Sequence, residues 1–145
     1  MEYEKKLGKV KGFDVFIEDH GILTWYITFD FGGSCQGFGG YGLDAWDEKK
    51  GRRVGTAEGM DFYLKILQFF AVDRASDIEG RICYALYESP HSWNDPIRGI
   101  EKTEFDGGQT FLMEDHFEEW YGEEDWFKKE KREKKEKTAS RKAKK

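Results

Sequence analysis

ILTWYITFDF, residues 22–31, decides the fold class of this chain. Ile22, Thr24, Tyr26, Thr28 and Asp30 face one way in an extended chain, and Leu23, Trp25, Ile27, Phe29 and Phe31 face the other. Such period-2 alternation, rich in β-branched and aromatic residues, is that of a half-buried strand. The odd-numbered set is the expected core face. Upstream, VKGFDVFIED (10–19) alternates imperfectly, and His20–Gly21 marks the turn between the two segments.

Downstream the period changes. TAEGMDFYLKILQFFAV (56–72) places Ala57, Met60, Tyr63, Leu64, Leu67, Phe70 and Ala71 at helical spacing, and these are the expected core face of the main helix. Thr56 is its expected N-cap, and the polar run from Asp73 is its expected end. GRICYALYES (80–89) reads as another strand, with Ile82, Tyr84 and Leu86 on one face. IRGIEKTEF (97–105) and QTFLMED (109–115) read as strands paired across a glycine turn, with helix from Glu114 onward. The predicted class is α+β: a mainly antiparallel sheet of four to five strands, one main amphipathic helix packed on it, and a charged C-terminal helical or disordered tail.

Charge is divided along the 145 residues. Residues 128–145 hold 11 Lys or Arg against three Glu, a net of +8. Residues 1–127 hold 13 basic and 26 acidic residues, a net of −13. The expected organisation is therefore an acidic globular domain over 1–127 and a Lys-rich tail over 128–145. Aromatic residues make up 17% of the chain, enough large apolar side chains for a core although 37% of residues are charged. No apolar run approaches the roughly 20 residues of a membrane span, and the N-terminus lacks a signal-like apolar segment. Two cysteines, Cys35 and Cys83, make no disulfide framework. The chain reads as soluble and cytoplasmic, in the host cell under the viral reading given below.

GSCQGFGGYG (33–42) satisfies G-x-G-x-x-G through Gly37, Gly39 and Gly42. A dinucleotide site needs a helix directly after the glycines, and LDAWDEKKGRRVG has no helical period. The kinase-type glycine loop fits locally, but every catalytic companion motif is missing. A glycine-dense hairpin loop remains, with GYGLDAW (40–46) as the expected returning strand, DEKKGRR as a polar loop, and Gln36, Phe38 and Tyr41 displayed for a partner. Scattered histidines give no metal spacing, and no cofactor is expected. An enzyme would have to use Asp30, Asp44 or Cys35, for which no partner base stands out.

GGSCQGFGGYGLD followed by GTAEGM resembles a family of small phage and prophage proteins with a G-G-x-x-Q-G-F-G-G-Y-x-L-D stretch and a G-T-A-x-G-M helix start. The resemblance runs from about Ile22 to Val72 and implies a viral accessory role without an assigned activity.

EDHFEEWYGEEDW (114–126) interleaves seven acids with Phe117, Trp120, Tyr121 and Trp126. Its Glu118, Glu119, Trp120, Glu123 and Glu124 would suit a basic groove on a partner. The expected function is non-enzymatic: binding a host protein and inhibiting a nucleic-acid-handling defence system, in the manner of an anti-CRISPR protein. The alternative is a nucleic-acid-associated factor of phage replication or recombination, held by tail residues such as Lys134, Lys135, Arg141 and Lys142.

Overall fold

Leu23–Asp30 forms β2, flanked by β1 (Tyr3–Ile17) and β3 (Cys35–Gly39), both antiparallel to it. The structure is a computed structural model that describes residues 2–90 and 95–122. The chain divides into two units, residues 1–111 and 112–145. The boundary expected after Phe127 lies outside the described residues.

The first unit is built on β1, β2 and β3 with β6 (Ile82–Glu88), β7 (Gly99–Glu101) and the start of β8 (Thr110–Leu112). The strand order is β3-β2-β1-β6-β7-β8. β1 joins two halves of the sheet. Its residues from Lys9 to Ile17 pair with β2, and those from Tyr3 to Lys9 pair with β6. A bulge between Val10 and Gly12 sits at the change-over, which is why VKGFDVFIED alternates imperfectly. The charged run Glu4–Lys6 was not expected in a strand. It fits because this half of β1 has a strand on one side only and leaves Lys5, Lys6 and Lys9 exposed.

Gln36 on β3 accepts a 2.6 Å hydrogen bond from the Tyr87 hydroxyl on β6, although β2 and β1 lie between those strands. The sheet is therefore strongly curled, and its concave face encloses the core. Trp25, Ile27 and Phe29 of β2 are buried as expected, together with Phe38, Cys83 and Ala85. On β6, Ile82, Tyr84 and Leu86 do share a face. Its alternate residues Cys83, Ala85 and Tyr87 are the ones turned to the core, and Leu86 is buried as well.

The glycine stretch differs from expectation. It is neither a long loop nor a display of side chains, because the returning strand β3 lies inside it. β4 (Asp44–Asp47) instead forms a separate hairpin with β5 (Arg52–Gly55), so the expected polar loop is a short turn between two strands. The glycines serve close packing. At Gly39, φ is +148°, and a Cβ there would lie 2.1 Å from the Trp25 carbonyl oxygen. A Cβ on Gly37 would lie 2.9 Å from the Tyr26 ring, which crosses the convex face of β3.

Ala57–Phe70 is α1, capped by Thr56, whose Oγ1 accepts from the Gly59 amide at 2.9 Å. It ends at Ala71 in a left-handed conformation, two residues before the expected stop. Its buried side also differs from expectation. Glu58, Gly59, Phe62, Ile66, Phe69 and Phe70 face inward, whereas Met60 and Leu64 are 65% and 51% exposed. Two contacts set this orientation. Phe62 stacks on Trp25 with ring centroids 4.1 Å apart, and Gly59 lies against the Leu43 backbone, where a Cβ would come within 2.7 Å.

In the second unit, α2 (Met113–Tyr121) has Met113, His116 and Phe117 buried on one side, at i, i+3 and i+4.

Candidate functional site

The outer side of α1 is the feature of the first unit that folding leaves unused. Eight of the eleven residues from Met60 to Phe70 are apolar, more than one helix face can hold. The sheet takes one stripe, and Met60 and Leu64, one turn apart, are left in solvent. At the N-terminal end of this stripe lies a hollow of about 380 Å3 lined by Val15, Leu23, Leu43, Thr56, Met60 and Tyr63, among others. Its walls are mostly apolar, with Thr56 and Tyr63 the lining side chains that carry a hydroxyl. Val15 and Ile17, on the adjoining end of β1, are 39% and 71% exposed. A second, more open hollow of about 390 Å3 borders Leu64, Leu67, Ala71 and Val72 at the other end of the helix. Surface apolar residues scattered singly are ordinary; Met60 and Leu64 instead lie one turn apart, each lining a hollow.

The β4–β5 hairpin leaves the edge of the first hollow at Leu43 and returns at Gly55–Thr56. Asp44 fixes its base. The Asp44 carboxylate accepts from Arg53 Nε at 3.0 Å and from an Arg53 terminal nitrogen at 2.9 Å, and it also accepts from the Leu23 amide at 3.2 Å. The hydrogen bonds from Arg53, more than any other influence, hold the Asp44 carboxyl below its ordinary value. Beyond this pair, Trp46 is 60% exposed on the hairpin. The Leu43 carbonyl accepts from the Thr56 amide at 3.0 Å and from its hydroxyl at 3.3 Å, tying the hairpin to the helix start. The stretches GFGGYGLD and GTAEGM therefore meet at Leu43, and their residues hold the frame around the hollow.

The residues expected to meet a partner are placed as follows. Phe38 is fully buried against Trp25, with ring centroids 5.0 Å apart. It is a core residue, and its expected display is corrected. Gln36 is half-buried and bridges inward, accepting from Tyr87 and donating to the Asp95 carbonyl at 3.0 Å. Tyr41 is half-buried beside Trp25 at 5.8 Å. None of the three is presented outward as a loop side chain. On α2, Glu118 and Glu119 are exposed, with Trp120 at 39% and Tyr121 at 48%. Phe117 of the same segment is buried, with its ring 6.1 Å from that of Tyr121. Glu123 and Glu124, and the tail residues Lys134, Lys135, Arg141 and Lys142, lie outside the described residues.

The residues considered for catalysis have structural partners or are separated. Asp30 accepts from the Gly32 amide at 2.8 Å and shapes the β2–β3 turn. Asp44, bound to Arg53, sits beside Leu23 at the other end of β2, roughly 23 Å away along the strand. Cys35 is exposed opposite Asp30 at the sheet edge. Burial pushes the Cys83 thiol up to about 12, so it behaves as an inert core group.

No family model matches the chain, and neither does any curated protein or solved structure. No helix among the described residues is long and apolar enough to cross a membrane.

Proposed function

We propose that this is a non-enzymatic, phage-type accessory protein that acts by binding a host protein through the outer side of α1. The observation that carries the reading is the apolar stripe of Met60 and Leu64, set between two hollows and left in solvent by a helix whose opposite stripe is fully used. Burying such side chains against a partner supplies about 25 cal/mol per Å2 of apolar surface, with the hollow as a socket for an anchoring side chain. The acidic excess of residues 1–127 and the exposed Glu118 and Glu119 favour a partner with a basic surface, as nucleic-acid-handling defence proteins have.

The test is capture of partners from infected host cells by full-length protein. It compares wild type with Met60→Asp/Leu64→Asp and with Glu118→Gln/Glu119→Gln. Loss of one defined partner in the first variant, with weaker, more salt-sensitive capture in the second, is the expected outcome. Undiminished capture by a folded Met60→Asp/Leu64→Asp protein overturns the proposal.

The +8 charge of residues 128–145 favours a second reading, in which the tail holds nucleic acid by its phosphates. In that case retention of DNA or RNA falls steeply with salt and disappears on truncation after Phe127.

A further inference from the structure

Strand edges are sites of self-association unless they are short, charged or bulged. Three strands of this sheet offer an edge. β8 has three residues. β1 has a neighbouring strand on one side only in each half, and it carries Lys5, Lys6 and Lys9 before its bulge and Lys11 and Asp14 at and beyond it. β3 is a terminal strand of five residues with none of these protections. It lies within Phe31–Leu43, thirteen consecutive residues without a charge in a chain that is 37% charged.

The ladder shows which backbone groups the edge offers. Phe31 N–H donates to the Ser34 carbonyl and Gly40 N–H to the Trp25 carbonyl, each at 2.9 Å, one at each end of the β2–β3 pairing. Antiparallel alternation then turns Gln36 and Phe38 toward β2 and leaves the N–H and C=O groups of Cys35, Gly37 and Gly39 pointing away from it. Among the described residues, no backbone group meets them.

We propose that β3 pairs antiparallel with β3 of a second copy about a two-fold axis through Gly37, joining two six-stranded sheets into one. Gly37 then faces its own mate, and Cys35 faces Gly39 of the other copy. Three such pairs exchange about six backbone hydrogen bonds. The side chains fit a self-pairing strand. On the convex face the three paired positions carry only a thiol and two glycines. On the concave face Phe38 stays in its own core, and Gln36 is held by Tyr87 and Asp95. A two-fold axis sets each strand against its own sequence, so a lysine or glutamate at position 37 would meet its own like charge across the axis. A strand serving a differently charged partner has no such restriction, and the complete absence of charge favours the second copy. The Met60–Leu64 stripe does not take part, so this pairing is independent of the host-protein reading.

A contact made mainly by one strand is small, and its dissociation constant falls at roughly 10–100 μM. Sedimentation of the full-length protein from about 10 μM to 1 mM should show a mass rising from one chain to two. A nitroxide on Cys35 reads the geometry, because Cys83 is buried and unreactive. The proposed register puts the two Cys35 Cα atoms about 14 Å apart, four residues along the strand and one strand across. Strong dipolar coupling at that range supports it. One-chain mass throughout, or a dimer whose labels lie beyond about 30 Å, overturns it. Cys35→Pro removes an outward N–H without touching the β2 ladder and should abolish the dimer while the far-ultraviolet circular dichroism is unchanged. A folded Cys35→Pro dimer also overturns the proposal, and if that variant does not fold, the label distance in the otherwise unaltered protein decides.

Discussion

The glycine stretch and the main helix exchange the roles their sequences suggest. GSCQGFGGYG has the composition of an exposed functional loop, yet it holds a buried phenylalanine and a backbone pressed against Trp25. The helix has the composition of a core element, yet it leaves Met60 and Leu64 in solvent. The difference shows that composition reports what a segment can do, while its neighbours decide what it does. Glycine is required at Gly39 because the Trp25 carbonyl occupies the space of a side chain. Met60 is exposed because Phe62, two positions on, has the better partner in Trp25.

The largest effect expected from this contrast is at Gly39. Gly39→Ala combines a positive φ with a collision against backbone that cannot move independently, and it should cost at least about 3 kcal/mol or prevent folding. Gly33→Ala, where nothing lies within 4 Å, should change stability by less than about 0.5 kcal/mol. Urea unfolding of both variants checks this. Equal, small effects would restore the flexible loop.

Phe62→Ala comes next, at about 3–5 kcal/mol, because it removes the ring stacked on Trp25 from a site 1% exposed. A cost below about 1 kcal/mol would mean that α1 presents another side to the sheet.

A smaller and pH-dependent effect belongs to the joint between the two regions. Asp44→Asn replaces a charge-assisted pair with weaker bonds and should cost about 1–3 kcal/mol at neutral pH. The folded carboxyl is held below its ordinary 3.8, so the stability it contributes is complete above that value and is lost as pH falls through the depressed one. The gap between wild type and variant should therefore close on acidification. Urea midpoints at about pH 7 and about pH 3 measure it, and a gap of constant size removes the carboxylate from the account.

Much of the frame was legible in the residues. Alternation in β2 identified Trp25, Ile27 and Phe29 as core, and Thr56 marked the start of α1. The change in period between these segments was enough to place the chain in the α+β class. What stayed hidden depends on contacts between residues distant in sequence. Glu4–Lys6 carry no apolar pattern because β6 supports them on one side only. The glycines concealed β3 because the groups they make room for, the Tyr26 ring and the Trp25 carbonyl, belong to another strand. The candidate surface was legible only as a surplus: eight apolar residues among the eleven from Met60 to Phe70. Helical spacing alone supports either stripe as core. The choice rests on Phe62, which stacks on Trp25, and on Gly59, where the helix can approach the Leu43 backbone.

The smallest expected effect tests that choice most directly. Met60→Gln/Leu64→Gln keeps helix propensity nearly constant and removes apolar surface only from the outer stripe. If that stripe is free in the isolated protein, stability should shift by no more than about 0.5 kcal/mol, because side chains already in water lose no burial. A loss above about 2 kcal/mol would require the stripe to be covered in solution, and the urea midpoint would then depend on protein concentration if the cover were another copy. A null result in stability combined with loss of a host partner is the outcome that separates the two sides of α1, one holding the fold and the other holding a partner.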